Sequence, residues 1–226
     1  MRRSLFFLLL RLLLGLGALG LFFLLAQHVN EENVLTDFDR ILSGDMAELR
    51  ERAPVLRVFF FALTLLAALR TMWGLVPLGV ILLWTCRQRN AAVVFALCGL
   101  SVWLSNNALK QCYNRPRPSA ALRDPWVWET NMSFPSGHSS SSMAVFGLLG
   151  YLSWRRARTG RQRFWCVAGF GLLILAVGFS RVFLCAHFFS DVLGGYLLGF
   201  FWLMVWISVA SALGERPAVA PPPSSG

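Results

Sequence analysis

The feature that most constrains this chain is its series of apolar runs: Leu5 to Ala26, Met72 to Cys86, Ala91 to Leu109, His138 to Trp154, Phe164 to Phe183 and Phe188 to Leu213. A helix needs about twenty apolar residues to cross the ~30 Å hydrocarbon core of a bilayer, and these runs reach that length alone or with their flanks. With 56% hydrophobic and only 14% charged residues, and a mean hydropathy of +0.58, the chain is more apolar than a soluble domain of 226 residues needs for its core. The reading is an all-α integral membrane protein with six transmembrane helices.

Charge placement sets the topology. Val58 to Leu69 is a seventh apolar stretch, too short to span as a helix. If it does not cross, Arg2 and Arg3, then Arg87 and Arg89, then Arg155, Arg156, Arg158, Arg161 and Arg163 all fall on one side, as the positive-inside rule requires. A crossing there would put the last two groups outside. Ala53 to Leu69 is therefore expected as one interfacial or re-entrant helix on the outer face. It follows an acidic segment holding Glu31, Glu32, Asp37, Asp39, Asp45, Glu48 and Glu51. Both termini are then cytoplasmic. The first apolar run exceeds a signal-peptide core, contains Arg11 and lacks a small-x-small cleavage site, so it is read as a retained helix whose Arg11 snorkels to the near surface. Residues 1–216 read as a single membrane domain, and the Pro-, Ser- and Ala-rich stretch 217–226 as a disordered tail.

The net charge of +10 is not accompanied by a polar domain that interleaves bases with aromatic residues, so a nucleic-acid partner is excluded. The five cysteines show no metal-ligand spacing and read as helix filler, although Cys112 and Cys185 share the outer face and could pair.

Unusual residues gather in the segments assigned to that face. Lys110, the only lysine in the chain, ends the third expected helix. Arg117 follows within Arg115-Pro-Arg-Pro, where prolines stop the helix and stiffen the backbone. Phe134-Pro135-Ser136-Gly137-His138 then leads into an apolar helix. Ser136 suits its N-cap, Gly137 allows close backbone approach, and the free amides of a helix start attract anions. His138 projects from the first turn as a titratable acid or base. Third comes Ser180-Arg181, with His187 and Asp191 after it. Four residues apart, these two share a helix face, where the carboxylate can hold one imidazole nitrogen protonated and free the other to attack.

Three cations, two imidazoles, a carboxylate and a helix start on one membrane face form a kit for phosphoryl transfer through a covalent enzyme intermediate. His138, His187 and Asp191 could instead ligate zinc or iron, but a divalent cation among Lys110, Arg117 and Arg181 would be strongly repelled. No metal and no cofactor are expected.

Lys-x6-Arg-Pro (Lys110 to Pro118), Pro-Ser-Gly-His (Pro135 to His138) and Ser-Arg-x5-His-x3-Asp (Ser180 to Asp191) resemble, in full and in order, the three signatures of the type 2 phosphatidic acid phosphatase (PAP2) superfamily. The resemblance covers roughly residues 90–210; the first ninety are supported by topology alone. It implies that His187 attacks phosphorus to form a phosphohistidine while Asp191 orients it. It also implies that His138 protonates the leaving alkoxide and later activates water, and that Lys110, Arg117, Ser136, Gly137 and Arg181 hold the phosphate oxygens. The expected substrate is a membrane lipid phosphate: phosphatidic acid, phosphatidylglycerol phosphate or undecaprenyl diphosphate. The alternatives are a lipid phosphotransferase with the same intermediate, and a non-catalytic lipid-binding protein.

Phe59, Phe60 and Phe61 read equally as the wall of a lateral entry for lipid chains or as helix packing, and Gly194, Gly195 and Gly199 as sites of close helix contact. Asn131-Met132-Ser133 matches a glycosylation sequon and reads as chance. The short loops suggest a bacterial inner-membrane protein with its site on the periplasmic face.

Overall fold

Backbone amides facing lipid must be paired within the chain, and the described residues meet that demand with helices alone. The structure, a computed structural model, describes residues 2–214, so the tail at 217–226 lies outside the described residues. In chain order the helices are α1 (Arg2–His28), α2 (Val34–Arg52), α3 (Pro54–Leu65), α4 (Leu69–Thr85), α5 (Arg89–Tyr113), α6 (Gly137–Ser141), α7 (Gly147–Arg156), α8 (Gly160–Phe183) and α9 (Phe189–Gly214). A π-helical segment, Ser142–Phe146, joins α6 to α7 in one continuous rod. Among the described residues four stretches are long and apolar enough to cross a membrane: Leu5–His28, Arg89–Tyr113, Gly160–Phe183 and Phe189–Leu213. α4 and the α6–α7 rod pack beside them, α4 on α5 and α7 on α8.

The surface belongs to a protein dissolved in lipid. Phe6, Leu9, Leu13 and Leu16 of α1 and Phe164, Val167, Leu172 and Leu175 of α8 are all exposed, an apolar face that water would not tolerate. Inside, Phe95, Cys98 and Val102 of α5 pack with Val145, Leu148 and Val177. α9 runs through the centre, where its glycines permit contacts that no Cβ would allow. A Cβ on Gly195 would lie 2.6 Å from the Ser136 carbonyl oxygen, and one on Gly199 would lie 2.5 Å from that of Ser140. The helix start carrying His138 is thereby pressed onto α9.

The segment between the first two apolar runs differs from expectation. The acidic stretch is itself a helix, and the single helix expected over Ala53 to Leu69 is α3 alone, ending at Leu65. Asn33 caps α2 by accepting from the amides of Leu35 and Thr36, while the Thr36 hydroxyl answers the Asn33 amide. Pro54 sits in the first turn of α3, where its missing N–H costs nothing. The buried stripe of α2 is Thr36, Asp39, Ser43, Ala47 and Arg50. It has helical spacing but is polar, so hydropathy gave no helix signal.

Phe60 meets Phe179 edge to face and Phe183 at a tilt, and Phe61 meets Trp126 edge to face, so these rings pack α3 onto α8 and onto the loop before α6. All five cysteines are free: Cys112 is exposed, and Cys185 is buried with its sulfur 3.3 Å from the Ser43 carbonyl.

Candidate active site

α5 continues past Lys110 to Tyr113 and stops where Asn114 adopts a left-handed conformation (φ 48°), a geometry asparagine tolerates better than most residues. That turn sends Arg115-Pro-Arg-Pro across the end of the bundle. From Gly178 to His187 the end of α8 and its exit loop are folded back tightly, with the Ala186 and His187 amides both donating to the Arg181 carbonyl. Phe134-Pro135 is a cis peptide, after which the Ser136 hydroxyl accepts from the Ser139 amide as the expected cap.

Around a cavity of about 120 Å³ the structure gathers Lys110, Arg117, Gly137, His138 and His187, with Asn106, Glu129 and Asn131. Asp191 lies behind His187, and Arg181 reaches the cavity through Glu129. Ser136 is the exception: fully buried and bonded to Ser139, it is placed as the cap of α6 and not on the cavity wall. At Gly137 a Cβ would come within 3.3 Å of the Asn106 side-chain oxygen, so the close approach expected there is present.

The two nitrogens of His187 have different surroundings. Nδ1 lies 3.5 Å from Asp191 Oδ2 and 3.3 Å from the Ser133 hydroxyl, which itself donates to the same carboxylate oxygen. A carboxylate and a hydroxyl that passes its own proton onward both favour a proton on Nδ1. Nε2 then carries the lone pair and accepts from an Arg117 guanidinium nitrogen at 3.2 Å. Burial holds the His187 pKa well below its usual value, and Arg117, Lys110, Arg181 and His138 add to the effect. The ring is therefore neutral at physiological pH, with Nε2 turned toward the cavity.

The cations are held by the loop that precedes α6. Lys110 donates to the Met132 and Ser133 carbonyls, and Arg117 to the Asn131 carbonyl, the Asn131 side chain and the Ala186 carbonyl. Burial pushes the Arg117 guanidinium down to about 10, against the opposing pull of Glu129, and it stays charged. Arg181 is bonded to Thr64 of α3 and to Glu129, and its buried Nε has no partner among the described residues. Burial pushes the Glu129 carboxyl up, but Arg181 and Arg117 outweigh it and hold the group below its usual range. Glu129 is thus an anion on Arg181, with an oxygen 3.9 Å from His138 Nε2, where a phosphate oxygen would be stabilised by the same charges.

Sequence reasoning missed Glu129, Asn131, Ser133, Arg115 and Asp39. Asn131 and Ser133, dismissed with a chance sequon, turn out to hold Arg117 and to bridge His187 to Asp191. Arg115 donates to Asp191 at 2.6 Å and to Asp39 of α2 at 2.9 Å. Its proximity to Arg117 in the Arg115-Pro-Arg-Pro run was the one available signal. No pattern in the sequence ties Asp39 to the other residues.

Comparison with known proteins places the chain in a family. The PAP2 superfamily matches residues 89–215. Phosphatidylglycerophosphatase B of Bacillus subtilis (strain 168) is 31% identical over 188 residues, covering 80% of this chain and 88% of that protein. Lipid phosphate phosphatase delta of Arabidopsis thaliana is 26% identical over 170 residues, covering 71% of this chain and 40% of that protein. A crystal structure described as a transmembrane PAP2 type phosphatidylglycerolphosphate phosphatase from Bacillus subtilis superposes with a TM-score of 0.80 at 24% identity, over 90% of this chain and 98% of that one. From the span of the family match and the extent of the Bacillus likeness, this chain belongs to the PAP2 superfamily and is a membrane-integral lipid phosphatase.

Proposed function

We propose that the protein hydrolyses a lipid phosphomonoester or diphosphate through a phosphohistidine on His187, at the outer face of the cell's inner membrane. The observation that carries this reading is the asymmetry of His187, whose Nδ1 is turned to Asp191 while Nε2 faces the cationic cavity. In the first step the Nε2 lone pair forms the N–P bond as the P–O bond to the lipid breaks, and His138 gives its proton to the departing alkoxide. In the second, His138 takes a proton from water, the oxygen attacks phosphorus, and the N–P bond breaks to release phosphate and restore His187. Lys110, Arg117 and Arg181 stabilise the charge on the non-bridging oxygens, for which one such donor is commonly worth a factor of about 10² to 10³. Those cations supply what a metal would otherwise provide, so turnover is expected to survive chelation.

Phosphatidylglycerol phosphate is the first candidate substrate, on the likeness to the Bacillus phosphatase; phosphatidic acid and undecaprenyl diphosphate follow. A groove of about 400 Å³ between α4 and α5 supports a two-part substrate. Its walls include Val76, Ile81 and Leu100, and it shares Trp103 and Ser141 with the catalytic cavity. A head group in the cavity would leave its apolar tail in this groove, rather than against Phe59 to Phe61. Six crossings with both termini cytoplasmic follow if α4 and the α6–α7 rod also span, since the Arg87–Arg89 and Arg155–Arg163 groups then share the cytoplasmic side.

The test is phosphate release in detergent with a chelator present, from the three lipids, by the native chain and by His187→Ala. Loss of release in the variant together with an acid-labile, base-stable phosphoenzyme in the native protein is expected. Release by His187→Ala at the native rate would overturn the covalent path. Labelling of single cysteines placed in the 110–137 loop from the cytoplasmic side would overturn the assigned face.

A further inference from the structure

Asp39 is fully buried in α2, a helix outside the region that matches the family. Its Oδ1 accepts from the Ser190 amide at 3.0 Å, and its Oδ2 from Arg115 at 2.9 Å and from the Ser190 hydroxyl. The other arm of Arg115 donates to the Ser190 hydroxyl at 2.7 Å and to Asp191 Oδ1 at 2.6 Å. The guanidinium also lies over the Phe188 ring, 4.5 Å from its centroid. Arg115 and Asp39 are 4% and 0% exposed, so the charges act without solvent screening. Asp191 thus spends one oxygen on Arg115, leaving Oδ2 for Ser133, the Phe188 amide and His187 Nδ1.

We propose that Asp39 is a positioning residue for catalysis: through Arg115 it locks the Asp191 carboxylate in the rotamer that holds His187, and it balances the positive charge that would otherwise cancel Asp191. The inference rests on the phosphohistidine reading above. Asp191 and Arg115 alone sum to zero charge, and a neutral pair does little to steady an imidazole that becomes positive as it bonds to phosphorus. With Asp39 present the three sum to one negative charge. An arginine fixed at both ends also cannot swing toward the phosphate clamp, so Arg115 serves Asp191 while Arg117, two residues on, serves the substrate.

The experiment compares the purified full chain with Asp39→Asn, Asp39→Glu, Arg115→Gln and the Asp39→Asn/Arg115→Gln double variant, measuring kcat, KM, the pH profile and the rate of phosphoenzyme formation. Thermal unfolding in detergent checks each protein. Asp39→Asn should lower kcat and phosphoenzyme formation together by about tenfold to a hundredfold, the range typical of outer partners that orient an active ligand, with KM little changed. The acidic limb of its profile should move to lower pH. The groups facing His187 are Asp191, Arg117, Lys110, His138, Arg181 and Ser133, and the loss of Asp39 makes this surrounding one unit more positive. Because Asp39 acts through Arg115, the double variant should be no slower than Arg115→Gln alone, and Asp39→Glu should recover part of the loss.

Additive losses in the double variant, or a kcat and pH profile in Asp39→Asn within twofold of native, would overturn the proposal. If Asp39→Asn does not fold, the comparison passes to Asp39→Glu and Ser190→Ala, where unchanged pH profiles and phosphoenzyme rates would overturn it equally. A native protein that forms no phosphoenzyme defeats the underlying reading instead, so the two failures are distinguishable.

Discussion

The two ends of the helix bundle use the same residue, arginine, in opposite ways. At the end that carries the site, Arg115 and Arg181 are buried and bonded to Asp39, Asp191 and Glu129, while Arg50 and Arg57 converge on the buried Asp124. At the other end Arg89 lies over Trp84, Arg155 over Tyr151 and Arg163 over Trp154, and Arg155 and Arg156 also donate to helix carbonyls. The first set is locked by carboxylates in a region with little water, where a displaced partner is costly. The second lies along the surface with its stems on aromatic faces, where guanidinium groups can reach water or lipid head groups. Arginine is fixed by carboxylates at one end and laid along aromatic faces at the other.

The sharpest attempt to break this contrast is Arg181→Ala. On the proposed reading it removes a cation that would hold the phosphate and leaves Glu129 without its bond to Arg181, so kcat/KM should fall by about 10² to 10³, with Thr64 losing its bond as well. A loss below tenfold would mean that the site end is no more specialised than the far end. Glu129→Gln should act in the other direction on binding. With a neutral group on Arg181, a lipid phosphate no longer displaces a carboxylate, and KM should fall by up to about tenfold, the effect of a larger binding-competent fraction. A raised KM would show that Glu129 contacts the substrate favourably.

The pH dependence sharpens the same point. The acidic limb of kcat/KM reports the base in the free enzyme. Because burial and the neighbouring cations lower the His187 pKa, that limb should lie below 6.5, and the enzyme should keep its nucleophile as the medium is acidified to that value. A limb at or above 6.5 would contradict the cationic environment. The smallest effect belongs to the far end. Arg163→Ala removes an exposed contact with Trp154 worth about 0.5 to 1 kcal/mol, so stability should shift by no more than that and kcat by less than twofold.

Much of the candidate site was legible because its residues come in short spacings. His187 and Asp191 are four residues apart, His187 in the loop just before α9 and Asp191 in its first turn, and Lys110, Arg117 and His138 sit at or beside helix ends that prolines or a serine cap announce. The supporting residues were illegible for a consistent reason: each is recruited across the chain. Glu129 meets Arg181, Ser133 meets His187, and Asp39 meets Ser190, 151 positions further along the chain. α2 was missed because its inward stripe is polar and its partners are charges, so it lacks the apolar periodicity by which a helix is recognised.

Residence in a membrane, membership of the family and the short list of candidate site residues could be read along the chain, because hydropathy and motif spacing are properties of neighbours in sequence. Folding in three dimensions added that Ser136 lies off the cavity wall, that Glu129 is bonded to Arg181, that an apolar groove runs between α4 and α5, and that Asp39 reaches Asp191 through Arg115. Those are matters of which buried charge finds which partner, and a buried charge is satisfied by whatever the folded chain brings within about 3 Å of it, however distant in sequence.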